Sequence, residues 1–73
     1  SREKCIVIAV LHDINLSINY ADRIIFMKDG LIKYTLNDLK ELTEEIIYDI
    51  FNVKTKIINN PFTDKPLVIY END

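Results

Sequence analysis

Residues 5–11 form an unbroken apolar run, from Cys5 through Leu11, rich in β-branched side chains and without polar alternation. A run of that kind reads as a strand covered on both faces, the habit of parallel sheets. It ends at His12 and Asp13. The next residues alternate strictly, with Ile14, Leu16, Ile18 and Tyr20 set against Asn15, Ser17 and Asn19. That is the period of a strand. Ile14, Ile18 and Ala21 nevertheless also fall at i, i+4 and i+7, and Asp13 is a favourable residue to cap a helix, so the pattern alone leaves both forms open.

Two further apolar stretches flank Asp29 and Gly30, a dipeptide that suits the positive φ angles of a two-residue hairpin turn, and predict a hairpin over residues 23–35. Asn37 and Thr43 are placed to cap two short helices within residues 37–52, with acidic residues in their first turns. Ile46, Ile47, Ile50 and Phe51 make the apolar face of the second, and Asn52 can end it. A second hairpin follows over residues 53–70, turning through the Asn- and Pro-rich residues 59–65. The order is strand (residues 4–12), helix, hairpin, two short helices, hairpin: an α/β fold with an antiparallel edge, in one partial domain over residues 1–73.

Composition narrows the possible partners. With 73 residues, a domain of this size buries only about 60% of the surface its unfolded chain exposes. Nine basic residues against twelve acidic ones, without a basic cluster, argue against nucleic acid and against a polybasic membrane patch. Cys5 is the only cysteine, so no internal disulfide forms; in its apolar setting it reads as a small buried hydrophobe, as Met27 reads as core, and the reducing cytoplasm is the expected compartment. The apolar run is far too short to cross a bilayer, and no signal-peptide pattern precedes it.

His12 is the candidate for chemistry. A metal centre needs three or four convergent ligands, and one histidine with one apolar-set cysteine does not supply them. Ser17 lies on the following segment with no nucleophile elbow around it. Gly30 is the single glycine, so no glycine-rich phosphate cradle exists. What distinguishes His12 is its place at the carboxyl end of a buried strand, where open α/β sheets bind ligands. The plain alternative is that it caps the next turn or satisfies a backbone group.

Read together, residues 7–16 (VIAVLHDINL), 20–32 (YADRIIFMKDGLI), 42–45 (LTEE), 51–53 (FNV) and 61–69 (PFTDKPLVI) closely resemble the carboxyl-terminal part of ABC transporter ATP-binding subunits, most of all importers of ferric siderophores, haem and cobalamin. Two positions depart from the usual pattern, with Asp64 and Leu36 standing where relatives commonly carry glycine. The resemblance tips residues 14–20 to a helix and implies a fragment of a P-loop NTPase domain. It implies that His12 is the switch histidine that contacts the γ-phosphate of ATP, with ATP and Mg²⁺ as ligands of the intact subunit. It also implies the rest of the ATPase domain, a second ATPase subunit and a membrane permease as partners, on the inner face of the cell membrane. Asp13 is expected to cap the helix, and Asp22 and Arg23 to tie helix to hairpin.

The family's phosphate loop, signature motif and catalytic glutamate precede this strand, so the chain alone is expected to be inactive towards ATP, to bind no cofactor of its own, and to self-associate through the strand its missing neighbours would cover. A different reading makes it a free-standing α/β interaction module in which His12 is structural.

Overall fold

The computed structural model describes residues 4–71. Five strands and two helices follow in the order β1 (Cys5–Ile8), α1 (Ile14–Tyr20), β2 (Arg23–Lys28), β3 (Leu31–Leu36), α2 (Glu44–Phe51), β4 (Thr55–Asn60) and β5 (Lys65–Tyr70). Short 3₁₀ turns stand at Leu11–Asp13 and Leu39–Glu41. The strands make two sheets, one in the order β1-β2-β3 and one pairing β4 with β5. β1 runs parallel to β2, with Ile6 beside Ile24 and Ile8 beside Phe26, and β2 runs antiparallel to β3.

The ambiguous alternation at residues 14–20 resolves as a helix. Ile14, Ile18 and Ala21 are buried, whereas Leu16, which a strand would place on the same face as Ile14 and Ile18, is 60% exposed. Burying that stripe on the sheet outweighs the local strand pattern, because it removes three apolar side chains from water together. The core closes around it with Ile8, Ile24, Phe26, Leu36, Leu39, Leu42, Ile47, Ile50 and Val68. Phe51 meets Phe26 edge-on, with ring centroids 6.2 Å apart.

Turn chemistry accounts for the connections. Asp29 and Gly30 take φ angles of 55° and 78°, the left-handed pair that a twisted two-residue hairpin requires. The register slips between Phe26 and Met27, so that Phe26 faces Tyr34 and Met27 faces Ile32. Thr43 caps α2, its Oγ1 accepting from the Ile46 amide at 3.2 Å, and Asn52 ends the helix in the left-handed region. The first cap differs from expectation. Asp38, not Asn37, starts the 3₁₀ turn, in a reciprocal box with Glu41, while Asn37 Oδ1 accepts from Arg23 Nε at 3.0 Å. Asp22 accepts from the Lys4 amide at 2.8 Å and returns its own amide to the Lys4 carbonyl. Asp22 and Arg23 thus brace the two edge strands of the sheet at one of its ends rather than the helix.

The first strand is shorter and barer than its apolar run suggests. It spans Cys5–Ile8 rather than residues 4–12, and only Ile8 is buried. Cys5 is exposed, Val7 is 52% exposed and Met27 is half-buried, against the expectation of core positions. The reason is the alternation of a pleated strand: Ile6 and Ile8 face the helices, while Cys5 and Val7 face the opposite side of the sheet, where no described element lies.

Candidate functional site: the His12 turn

After Ile8 the chain continues extended through Val10 and then tightens into the 3₁₀ turn Leu11–Asp13 that runs straight into α1. The Asp13 amide donates to the Val10 carbonyl at 3.4 Å, and the Ile14 amide donates to the Leu11 carbonyl. His12 occupies the middle of the turn with its side chain 78% exposed, its Nε2 lying 3.4 Å from Asp13 Oδ1. An exposed pair of this kind is screened by water and contributes little to stability. Asp13 makes no capping hydrogen bond to α1. The turn replaces the cap: its own backbone bonds lead into the helix, and the Asp13 carboxylate points to the imidazole instead.

The turn is held from the far end of the chain. Tyr70, the last residue of β5, donates its hydroxyl to the Leu11 carbonyl at 3.0 Å. Burial raises the Tyr70 phenol above its ordinary pKa, and the nearby Asp13 carboxylate adds to the rise. One turn further along α1, Asn15 binds the backbone of Val68 through both atoms of its amide, at 2.8 Å each. Lys65 then reaches the Asn19 carbonyl at 3.0 Å. Three contacts therefore run along β5, from Tyr70 to Lys65, and along α1 from its entry to its last turn. Val10, Leu11, His12, Val53 and Tyr70 line a shallow apolar depression of about 360 Å³ beside the imidazole.

Sequence reasoning singled out His12 and missed Asn15 and Tyr70 as its supports. The bonds they make span 53 and 59 residues of chain, and no local spacing signals a contact of that range. Among the described residues no three His, Cys, Asp or Glu side chains converge as metal ligands. Nor is any described helix long and apolar enough to cross a membrane.

A strand paired in parallel, followed by a turn that exposes a histidine and then by a helix and an antiparallel edge hairpin, makes a segment of an α/β domain. Comparison with known proteins gives that segment a context. The chain is 36% identical over 63 residues to a hemin import ATP-binding protein HmuV of Rhizobium leguminosarum, covering 86% of this chain and 24% of that protein. It is 42% identical to the hemin import ATP-binding proteins HmuV of Vibrio vulnificus, over 85% of this chain and 24% of that protein, and of Gloeobacter violaceus, over 86% and 23%. The likeness to a carboxyl-terminal segment of an ABC transporter ATP-binding subunit therefore stands. The chain spans about a quarter of the length of these curated relatives. No family model matches the chain.

Proposed function

We propose that the chain is the H-loop portion of an ATP-binding subunit, part of a P-loop NTPase domain, in a transporter that couples ATP hydrolysis to the import of haem or a related iron complex. The observation that carries this reading is His12 itself, presented on an exposed turn at the carboxyl end of a parallel strand. The similarity to hemin import ATP-binding proteins supports it.

The chemistry available at the turn is a single imidazole that can donate a hydrogen bond to an anionic oxygen. At the γ-phosphate such a contact would steady the phosphoryl group and help orient the attacking water, the positioning and electrostatic stabilisation on which phosphoryl transfer depends. The described residues do not fit Mg²⁺, since only Asp13 offers a carboxylate beside His12 and no ligand group converges there. Phosphate loop and metal ligands belong in this reading to the remainder of an ATPase domain. Its partners are that remainder, a second ATP-binding subunit and a membrane permease, at the cytoplasmic face.

The test is His12→Ala in a subunit that carries this segment. ATP turnover is expected to fall by about 10²-fold while MgATP binding persists, the scale seen when one preorganised donor is removed. Unchanged turnover would overturn the role of His12. Titrating the 73-residue chain alone with MgATP is expected to give no saturable binding at micromolar concentrations.

A further inference from the structure

We propose that Tyr70 is a positioning residue for His12, its hydroxyl holding from β5 the turn that presents the imidazole. This rests on the reading of His12 given above. The Leu11 carbonyl sits immediately before His12 and accepts twice, from the Ile14 amide within the turn and from the Tyr70 hydroxyl across the fold at 3.0 Å. A carbonyl has two lone pairs, so both bonds coexist and fix the plane of the peptide that joins Leu11 to His12.

The 3₁₀ turn has little else to hold it. His12 and Asp13 are exposed, Leu11 is only half-buried against the core, and the other backbone bond, from the Asp13 amide to the Val10 carbonyl, is long at 3.4 Å. Short 3₁₀ segments have poorer hydrogen-bond geometry than α-helix and so depend on tertiary contacts. Tyr70 supplies one that is directional, from a side chain that lines the same apolar depression as Val10, Leu11 and His12. Asn15 sets the register of α1 on β5 through Val68, one turn beyond, so the distance from the Val68 backbone to the Tyr70 hydroxyl spaces the turn from the helix. Asn15 anchors the helix. Tyr70 touches the peptide of the histidine turn itself.

The test uses Tyr70→Phe, which keeps the ring and removes only the hydroxyl. In the full chain, amide hydrogen exchange at Asp13 and Ile14 is expected to quicken about fivefold, the factor for one lost neutral hydrogen bond, while Ile24 and Phe26 in β2 keep their protection. His12 is the only histidine, so its ring resonances report the turn without overlap and should shift as well. Unchanged exchange and unchanged ring resonances would overturn the proposal. So would equal acceleration throughout the domain, which would make the hydroxyl a general support of the fold.

In an ATP-binding subunit carrying this segment, Tyr70→Phe should lower kcat severalfold with KM for MgATP unchanged. Loss of binding instead of turnover would count against a positioning role. If the turn loosens in Tyr70→Phe while His12→Ala leaves turnover intact, the reading of His12 fails and the brace stands. If His12→Ala abolishes turnover while the turn in Tyr70→Phe is undisturbed, the brace fails alone.

Discussion

The side-chain amide of Asn15 forms two 2.8 Å hydrogen bonds with the backbone of Val68, its Nδ2 donating to the carbonyl and its Oδ1 accepting from the amide. Val68 is paired with Ile57 of β4, whose own amide donates to Glu44 Oε2 at 2.9 Å. The two-stranded sheet is thus closed at its outer edges by one side chain from each helix, at the same cross-strand pair. An isolated two-stranded hairpin is marginal in water, and these clamps with the burial of Val68 attach it to the core.

Replacing Asn15 by Ala leaves the Val68 amide and carbonyl without partners at a part-buried edge. A loss of about 1–3 kcal/mol in unfolding free energy is expected from the penalty for unmade backbone hydrogen bonds. Asn15→Asp keeps the acceptor but sets a carboxylate against the Val68 carbonyl, and should recover little of that loss. Urea unfolding of the three proteins measures the difference.

Asp64 stands in the left-handed region with φ of 57°, a conformation that glycine adopts without a steric cost. Its amide donates to the Asn60 carbonyl at 2.8 Å, closing the turn between β4 and β5, so the conformation is demanded by the hairpin. Asp64→Gly should stabilise by about 0.5–1 kcal/mol by relieving the Cβ penalty. Gly30→Ala should cost about 1 kcal/mol, entirely through its φ of 78°, since a Cβ there meets nothing within 4 Å. Thermal unfolding should move in opposite directions for the two variants.

Tyr34 donates its hydroxyl to Asp49 Oδ2 at 2.7 Å. That bond holds the Asp49 carboxyl below its ordinary pKa, against the opposing effect of burial, with Lys33 and Lys28 adding to the lowering. The same bond raises the Tyr34 phenol. A lowered carboxyl favours the folded state above its unfolded pKa, and that stabilisation is lost as pH falls through the folded value. A raised phenol contributes below its unfolded pKa and is lost as pH climbs through the folded one. Tyr34→Phe should therefore flatten both the acid and the alkaline limb of the stability profile, by a small amount because the pair is at the surface. Unfolding midpoints across pH test this.

Val7, Ile25, Met27 and Ile32 share the outer face of the three-stranded sheet, and Val7 and Ile32 are 52% and 61% exposed. The outer edge of β1 pairs with no described strand. An apolar face beside an open edge promotes association, so the chain is expected to form dimers or larger species as concentration rises. Val7→Lys should shift sedimentation towards the monomer. A clean monomer of the unaltered chain at high concentration would refute the expectation.

By itself the sequence determined the local elements whose signals are short-range: the Asp29-Gly30 turn, the Thr43 and Asn52 ends of α2, the apolar stripe of α2, and a histidine following an apolar strand. Those follow from backbone sterics and nearest-neighbour hydrogen bonds, which a few adjacent residues settle. Only the tertiary structure decided the rest. The alternation at residues 14–20 gave way to a helix because the sheet offered Ile14, Ile18 and Ala21 a common surface to bury. The apolar run at residues 5–11 became a strand bare on one face because burial depends on what lies opposite, and that cannot be read from the run itself. Asn37 yielded its cap to Asp38 once Arg23 claimed its side chain, and Asp13 turned to His12 once a 3₁₀ turn supplied the helix entry. His12 was visible as a residue, but its setting was not: Tyr70 meets the Leu11 carbonyl and Val68 meets Asn15 only because β5 folds back beside α1, bringing together groups more than fifty residues apart.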